Sequence, residues 1–100
     1  MPYHRIRDML RTDTPDGTQV AKLDVANLEL SYERVKPGAM TPEQSFDRAQ
    51  IVYVLSGSMD MTVGGETRTV KAGDVWLIEP ETPQSFQGGD VECIRLVISG

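Results

Sequence analysis

The sequence predicts an all-β domain, a sandwich or closed barrel, and two observations support this prediction. Short runs rich in apolar and β-branched residues follow one another, at 19–25, 28–35, 50–55, 59–63, 67–70, 75–78 and 91–98. Turn segments that contain glycine or proline separate them, among them residues 36–38, 56–58, 64–65 and 72–74. Because strands this short bury their apolar faces only against one another, we expect residues 19–100 to form one such domain, either a sandwich or a closed barrel.

The first 18 residues differ from this pattern and are predicted to be a lead-in segment. Ile6, Met9 and Leu10 have the spacing of a helical turn, within a stretch from about His4 to Arg11. The turn-forming residues 14–17 then end that stretch. The lead-in, residues 1–18, is therefore expected to be helical or extended.

Composition limits the class of protein. One hundred residues are enough for one domain, and a formal charge of −5 disfavours both nucleic acid and anionic membrane as partners. No apolar run approaches the ~18 residues of a membrane span, and the first residues lack the apolar stretch of a signal peptide. We therefore expect a cytoplasmic protein, with its single cysteine, Cys93, as a thiol of the core.

The strand that begins at Gln50 has two apolar faces. Gln50, Val52 and Val54 fall on one side, and Ile51, Tyr53 and Leu55 fall on the other. One face is expected to pack against a second sheet. The other face is covered either by a second subunit, with Tyr53 at the boundary, or by the N-terminal segment of the same chain. A homodimer is the favoured prediction.

Two motifs flank a connecting stretch, YVLSGSMDMTVGGETRTVKAGD, at 53–74. In the first motif Gly38 is followed by Gln44, Phe46, Gln50 and Gly57, at the spacing Gly-x5-His-x-His-x3-Glu-x6-Gly. The second motif occupies 73–86 and ends with Gln84 in place of a histidine. From about Leu23 to Ile98, the sequence resembles the cupin superfamily. The resemblance implies a double-stranded β-helix, or jelly-roll barrel.

The resemblance implies that four residues converge inside the barrel, where in cupins they bind Fe, Mn, Zn, Ni or Cu. Those four positions here carry Gln44, Phe46, Gln50 and Gln84. An amide oxygen is a weak neutral ligand and a phenyl ring offers no lone pair, whereas these metals favour imidazole and carboxylate. The single histidine, His4, lies outside both motifs. We therefore expect neither a metal nor another cofactor.

The favoured function is that of a metal-free cupin that binds a small polar or carboxylate-bearing metabolite, in an accessory or sensor-like role. Its pocket is predicted to contain Gln44, Phe46, Gln50, Val52, Met61, Trp76 and Gln84. Motif positions and strand parity indicate these residues, except for Trp76, whose large aromatic ring with one polar end could stack on a ligand. Alternatively, the three amides bond to one another and to trapped water, and they fill a cavity that has no ligand.

Catalysis without a metal is the second hypothesis, as a lyase, isomerase or cyclase. It requires a proton carrier in the pocket, either a tyrosine or Glu79, which follows the apolar run 75–78. No serine or cysteine has a nearby histidine in the sequence to activate it as a nucleophile. A third reading is deliberate replacement of the metal ligands by glutamine, which Phe46 does not fit. Whether the protein is an enzyme stays open.

Overall fold

Nine β-strands make up the described part of the chain, which is residues 5, 9, 11–15 and 17–100 of a computed structural model. They are β1 (Thr12–Asp13), β2 (Thr18–Val25), β3 (Leu28–Val35), β4 (Gln50–Ser56), β5 (Ser58–Val63), β6 (Glu66–Lys71), β7 (Val75–Ile78), β8 (Gln84–Gly88) and β9 (Cys93–Ser99). Within these ranges no helix is long and apolar enough to cross a membrane. The helical turn predicted at 4–11 depends on Ile6 and Leu10, which lie outside the described residues.

Two antiparallel sheets contain all nine strands, so the all-β prediction is confirmed. The larger sheet has the order β1-β2-β3-β9-β4-β7, and the smaller has the order β6-β5-β8. The last strand, β9, lies between β3 and β4, with Arg95 opposite Glu33 on one side and Val54 on the other. Strands that are distant in sequence thus become neighbours, as in a jelly roll.

The core lies between the two sheets and follows the period of two that strands impose. On β4, Val52 and Val54 are 2% and 1% exposed, and on β5 Met59 and Met61 are each 1% exposed. Each such side chain contributes about 1.5–3 kcal/mol by leaving water. Cys93 is also fully buried, which confirms the predicted core thiol. The inward face of β4 is therefore the one that begins with Gln50.

The opposite face of β4 belongs to an exposed apolar surface. Strand register places Ile51 between Leu77 and Ile98, and Tyr53 between Val75 and Leu96. We call Ile51, Tyr53, Leu55, Val75, Leu77 and Ile98, which are 38–69% exposed, the outer apolar face. The described start of the chain contacts the same side of this sheet at β3, where the guanidinium of Arg11 lies 5.6 Å from the ring centroid of Tyr32.

Three elements differ from the sequence-based prediction. β8 was not predicted, because Phe86 is its single large apolar residue and neighbouring Gln84 belongs to the second motif. β1 lies inside the predicted lead-in and pairs with β2, through Thr12 and Val20. β9 begins at Cys93 rather than Val91, which is 52% exposed. In each case pairing with a partner strand, rather than local alternation, decides where the strand lies.

Gly57, in the tight turn between β4 and β5, tests how closely β9 packs under that turn. Its φ is +73°, and a Cβ there would collide with the carbonyl oxygen of Glu92, just before β9. We expect Gly57→Ala to lower the free energy of unfolding by about 3 kcal/mol, since a backbone clash adds to the left-handed strain. Urea denaturation of the purified variant measures the loss.

Gly65→Ala is the matched control for this change. Gly65 has a similar φ of +84°, but a Cβ there would meet no atom within 4 Å. Its loss is expected to be about 1 kcal/mol, from conformation alone. Equal losses in the two variants would contradict close packing of the β4–β5 turn on β9.

Candidate ligand-binding site

A cavity of about 590 Å³ opens inside the barrel. Strands β2, β3, β4 and β9 of the larger sheet line it, together with β5 and β8 of the smaller sheet and the segment 41–46. Its volume lies within the range of about 300–1,000 Å³ that is typical of small-molecule sites. The walls combine apolar side chains with amides, hydroxyls and charged groups.

The structure brings most of the predicted pocket residues together. The cavity is lined by Gln44, Phe46, Gln50, Met61 and Gln84, which include all four positions where the cupin resemblance places metal ligands. Val52 lies instead in the closed core. Trp76 is half-buried and borders a separate hollow beside β6 and β7. Glu79 is exposed after the end of β7 and is not among the residues that line the cavity.

The glutamine amides form one corner of the cavity. Nε2 of Gln84 donates to Oε1 of Gln50 at 2.6 Å, and Nε2 of Gln50 donates to Oγ of Ser99 at 3.4 Å. The backbones of Gln44 and Gln84 exchange two hydrogen bonds, of 2.9 and 2.7 Å, which attach the segment 41–46 to β8. Two of the three amides therefore bond to each other, while the side chain of Gln44 is exposed at the cavity.

This corner does not fit a divalent transition metal. It offers neutral amide oxygens, one of which already accepts a hydrogen bond from its neighbour, and the ring of Phe46. In the part of the chain that the structure describes, no group of three His, Cys, Asp or Glu side chains could hold a metal ion. The chemistry of the corner is that of a neutral hydrogen-bonding surface.

A buried ion pair forms a second polar corner, which was not predicted from the sequence. Nε and Nη2 of Arg95 lie 2.8 and 2.7 Å from Oε1 of Glu33, and Oγ of Ser31 donates to Oε2 of Glu33 at 2.9 Å. The guanidinium also lies 4.5 Å from the ring centroid of Phe86. Arg95 is 7% exposed, and both members of the pair line the cavity.

A sequence signal for this pair does exist. Arg95 occupies an otherwise apolar run, at the same parity as Cys93 and Val97. A charge on the buried face of a strand requires a partner inside the protein. The pattern therefore indicates a buried cation, although it does not identify Glu33.

Possible proton carriers differ in whether they line the cavity. Tyr32 and Tyr53, the tyrosines within the described residues, do not line the cavity, and neither does Glu79. Glu33 does line it, but both of its carboxylate oxygens accept hydrogen bonds, from Arg95 and Ser31. Burial raises the pKa of the Cys93 thiol, which keeps it protonated and a poor nucleophile.

The ion pair predicts a non-additive effect on stability. Glu33→Gln and Arg95→Met, each alone, are expected to lower the free energy of unfolding by about 3–5 kcal/mol, because each leaves an uncompensated buried group. The double variant should lose about 1 kcal/mol, since no charge is then left behind. Chemical denaturation of the four proteins completes the cycle.

A surface pair between β3 and the residue just before β9 is the control. Nη2 of Arg34 lies 2.8 Å from Oε1 of Glu92, with about a third of each side chain exposed (34% and 38%). Arg34→Met and Glu92→Gln should each cost less than about 1 kcal/mol, because water replaces the lost partner. Strictly additive losses for Glu33 and Arg95 would contradict a coupled buried pair.

Solved structures with the same fold come from several organisms. An RmlC-like cupin from Shewanella frigidimarina superposes with a TM-score of 0.89 at 17% identity, over 97% of this chain and 87% of that chain. The polyketide cyclase RemF from Streptomyces resistomycificus gives 0.88 at 24% identity, over 99% and 78%. KdgF from a Halomonas species gives 0.86 at 18% identity, over 99% and 93%. At these identities the similarity establishes the fold.

Comparison of sequences identifies the family. No curated protein matches this chain by sequence. The family model described as the cupin domain matches residues 31–99, which is more than half of the chain and includes both motifs. The strand order, the cavity inside the barrel and this match agree with the resemblance seen in the sequence. This chain belongs to the cupin superfamily.

Proposed function

We propose that this protein is a metal-free cupin that binds a small polar or carboxylate-bearing metabolite inside its barrel, in an accessory or sensor-like role. The observation that carries the proposal is the amide corner. Gln50 and Gln84 hydrogen-bond to each other at the place where the cupin resemblance puts metal ligands, beside a cavity of about 590 Å³. Amides at this place suit hydrogen bonds to a neutral or anionic ligand.

The walls of the cavity support an organic ligand. Phe46, Met61, Phe86 and Val97 provide apolar contact area. The hydroxyl of Thr18 is buried, lines the same cavity and has no hydrogen-bond partner among the described residues. A buried polar group without a partner costs about 1–3 kcal/mol, which a bound polar ligand or a water recovers.

Binding suits this cavity better than catalysis does. A lyase, isomerase or cyclase needs a group that exchanges a proton with its substrate. Glu79, proposed from the sequence for that task, lies on the surface, and the hydrogen bonds to Glu33 occupy both oxygens of its carboxylate. The cyclase among the solved relatives shares the fold at 24% identity, which carries no activity over to this chain.

The composition of the purified protein tests the proposal. Untagged protein is expected to contain far less than one metal ion per chain by elemental analysis, because the amide corner lacks the ligands that such metals prefer. Native mass spectrometry should detect a retained organic mass. Stoichiometric metal, or an empty barrel in protein taken directly from its source cells, would contradict the proposal.

Two glutamine variants localise the retained molecule. Gln84→Leu removes an amide of the corner, and Gln87→Leu makes the same change on the exposed side of the same strand, outside the cavity. The first is expected to reduce the amount of retained molecule by about tenfold, which corresponds to the loss of roughly one or two hydrogen bonds. The second should leave it unchanged, and equal effects would place the molecule elsewhere.

We propose further that two copies of the chain pair through the outer apolar face. Its centre consists of Ile51, Tyr53 and Leu77, and its exposed large side chains are aliphatic or aromatic. A contiguous apolar surface of this kind on a twisted sheet is typical of an interface between subunits. An identical apolar face matches it in chemistry, so a symmetric dimer would cover the exposed apolar side chains of both copies.

A single charge on the outer apolar face is expected to separate the copies. Leu77→Asp places a carboxylate in the interface, where it loses its water, so the variant should sediment as a monomer. Val25→Asp is the control, since Val25 is also 69% exposed but lies at the end of β2, four strands across the sheet from Leu77 on β7. Analytical ultracentrifugation distinguishes the species, and a monomeric unmodified protein at micromolar concentration would contradict the proposal.

A further inference from the structure

Arg95 has more hydrogen-bond donors than the protein uses. Its guanidinium carries five N–H groups. Nε and Nη2 contact one oxygen of Glu33, at 2.8 and 2.7 Å, while Nη1 has only the thioether sulfur of Met61, at 3.8 Å. A thioether is a weak acceptor. The edge formed by Nη1 and Nη2 thus keeps at least one unused proton on each nitrogen, in a side chain that is 7% exposed and lines the cavity.

The charges around the cavity have the opposite balance from the whole protein. The charged side chains that line it are Lys22, Glu33 and Arg95, two cations and one carboxylate. The chain as a whole has a formal charge of −5. Lys22 is 57% exposed and its Nζ lies 3.8 Å from Oε1 of Glu29, so Arg95 is the buried cation that is available to a negatively charged ligand.

We infer that Arg95 is the anchor for a carboxylate group of the ligand, with Glu33 as the residue that positions the guanidinium. The inference rests on the proposed binding function and narrows its ligand to a monocarboxylate. The two unused protons on Nη1 and Nη2 match the two oxygens of a planar carboxylate. The carboxylate of Glu33 beside them repels a second negative charge, which disfavours a phosphate dianion.

The two polar corners also set the shape of the ligand. Arg95 and Ser99 lie four residues apart on β9, and Ser99 accepts the hydrogen bond from Gln50. Four residues of a strand span about 13 Å. A ligand that uses both corners therefore carries a carboxylate at one end, a neutral polar group at the other, and an apolar middle part against Phe86, Met61 and Val97.

Three small probes of similar shape test the anchor: benzoate, benzamide and phenyl phosphate. Ligand-detected NMR titration of the unmodified protein is expected to show that benzoate binds about tenfold more tightly than benzamide, because hydrogen bonds to a charged acceptor are stronger. Phenyl phosphate should bind more weakly than benzoate. Tighter binding of phenyl phosphate would indicate that the site prefers a phosphate group to a carboxylate, and it would overturn the inference.

The Glu33→Gln/Arg95→Met double variant removes both charges without leaving one unpaired. In it, the preference for benzoate over benzamide should fall to within about twofold, because benzoate loses hydrogen bonds to its charged carboxylate whereas benzamide loses only weaker ones to a neutral carbonyl. The Arg34→Met/Glu92→Gln variant removes the comparable surface pair and should keep the full preference. Melting temperatures of both variants verify that they are folded.

The outcomes distinguish a failure of this inference from a failure of the proposed function. A preference for benzoate that survives in the double variant would show that Arg95 is not the anchor. Equal binding of benzoate and benzamide to the unmodified protein would overturn the carboxylate ligand while the pocket itself stands. Failure of all three probes to bind, in a protein that also retains no organic molecule, would overturn both the anchor and the binding function.

Discussion

The pairing of β9 with β3 and β4 is the interaction on which the rest of the structure depends. Without β9, the larger sheet would separate into β1-β2-β3 and β4-β7, because no other strand joins them in the described chain. Its hydrogen bonds connect residues near the end of the chain with strands that begin at Leu28 and Gln50. The same strand carries Arg95, Val97 and Ser99 toward the cavity. The pairing of β9 therefore both joins the larger sheet and brings these residues to the site.

Strand alternation gives the larger sheet two chemically distinct faces. The inner face carries two polar corners, one of neutral amides and one of paired charges, and apolar residues such as Met61 and Val97 line the same cavity. On the outer face aliphatic and aromatic residues lie side by side across β7, β4 and β9. A buried ion pair adds little net stability compared with apolar residues of the same volume. The proposed ligand binding, rather than folding, would account for its presence inside the barrel.

Sequence patterns predicted the elements that depend on local signals. β3 and β7 were predicted with their observed bounds, and the parity of β4 correctly placed Val52 and Val54 inside. The spacing of the cupin motifs placed Gln44, Phe46, Gln50 and Gln84 at one cavity, as the structure shows. Parity alone was less reliable for Val52, since an inward residue can face either the cavity or the closed core. Trp76, predicted from its large aromatic ring with one polar end, borders a separate hollow.

Strand periodicity, turn glycines and motif spacing can be read from the sequence, which was therefore sufficient for most of the strands, for their faces and for the family. Contacts between distant residues required the tertiary structure. Glu33 and Arg95 are 62 positions apart, and they meet because β9 inserts beside β3 in one particular register. β8 is similar, since its pairing with β5 stabilises a segment whose own residues signal a strand weakly. Register and sheet order are cooperative properties of the whole barrel, and they decided which charges face the cavity.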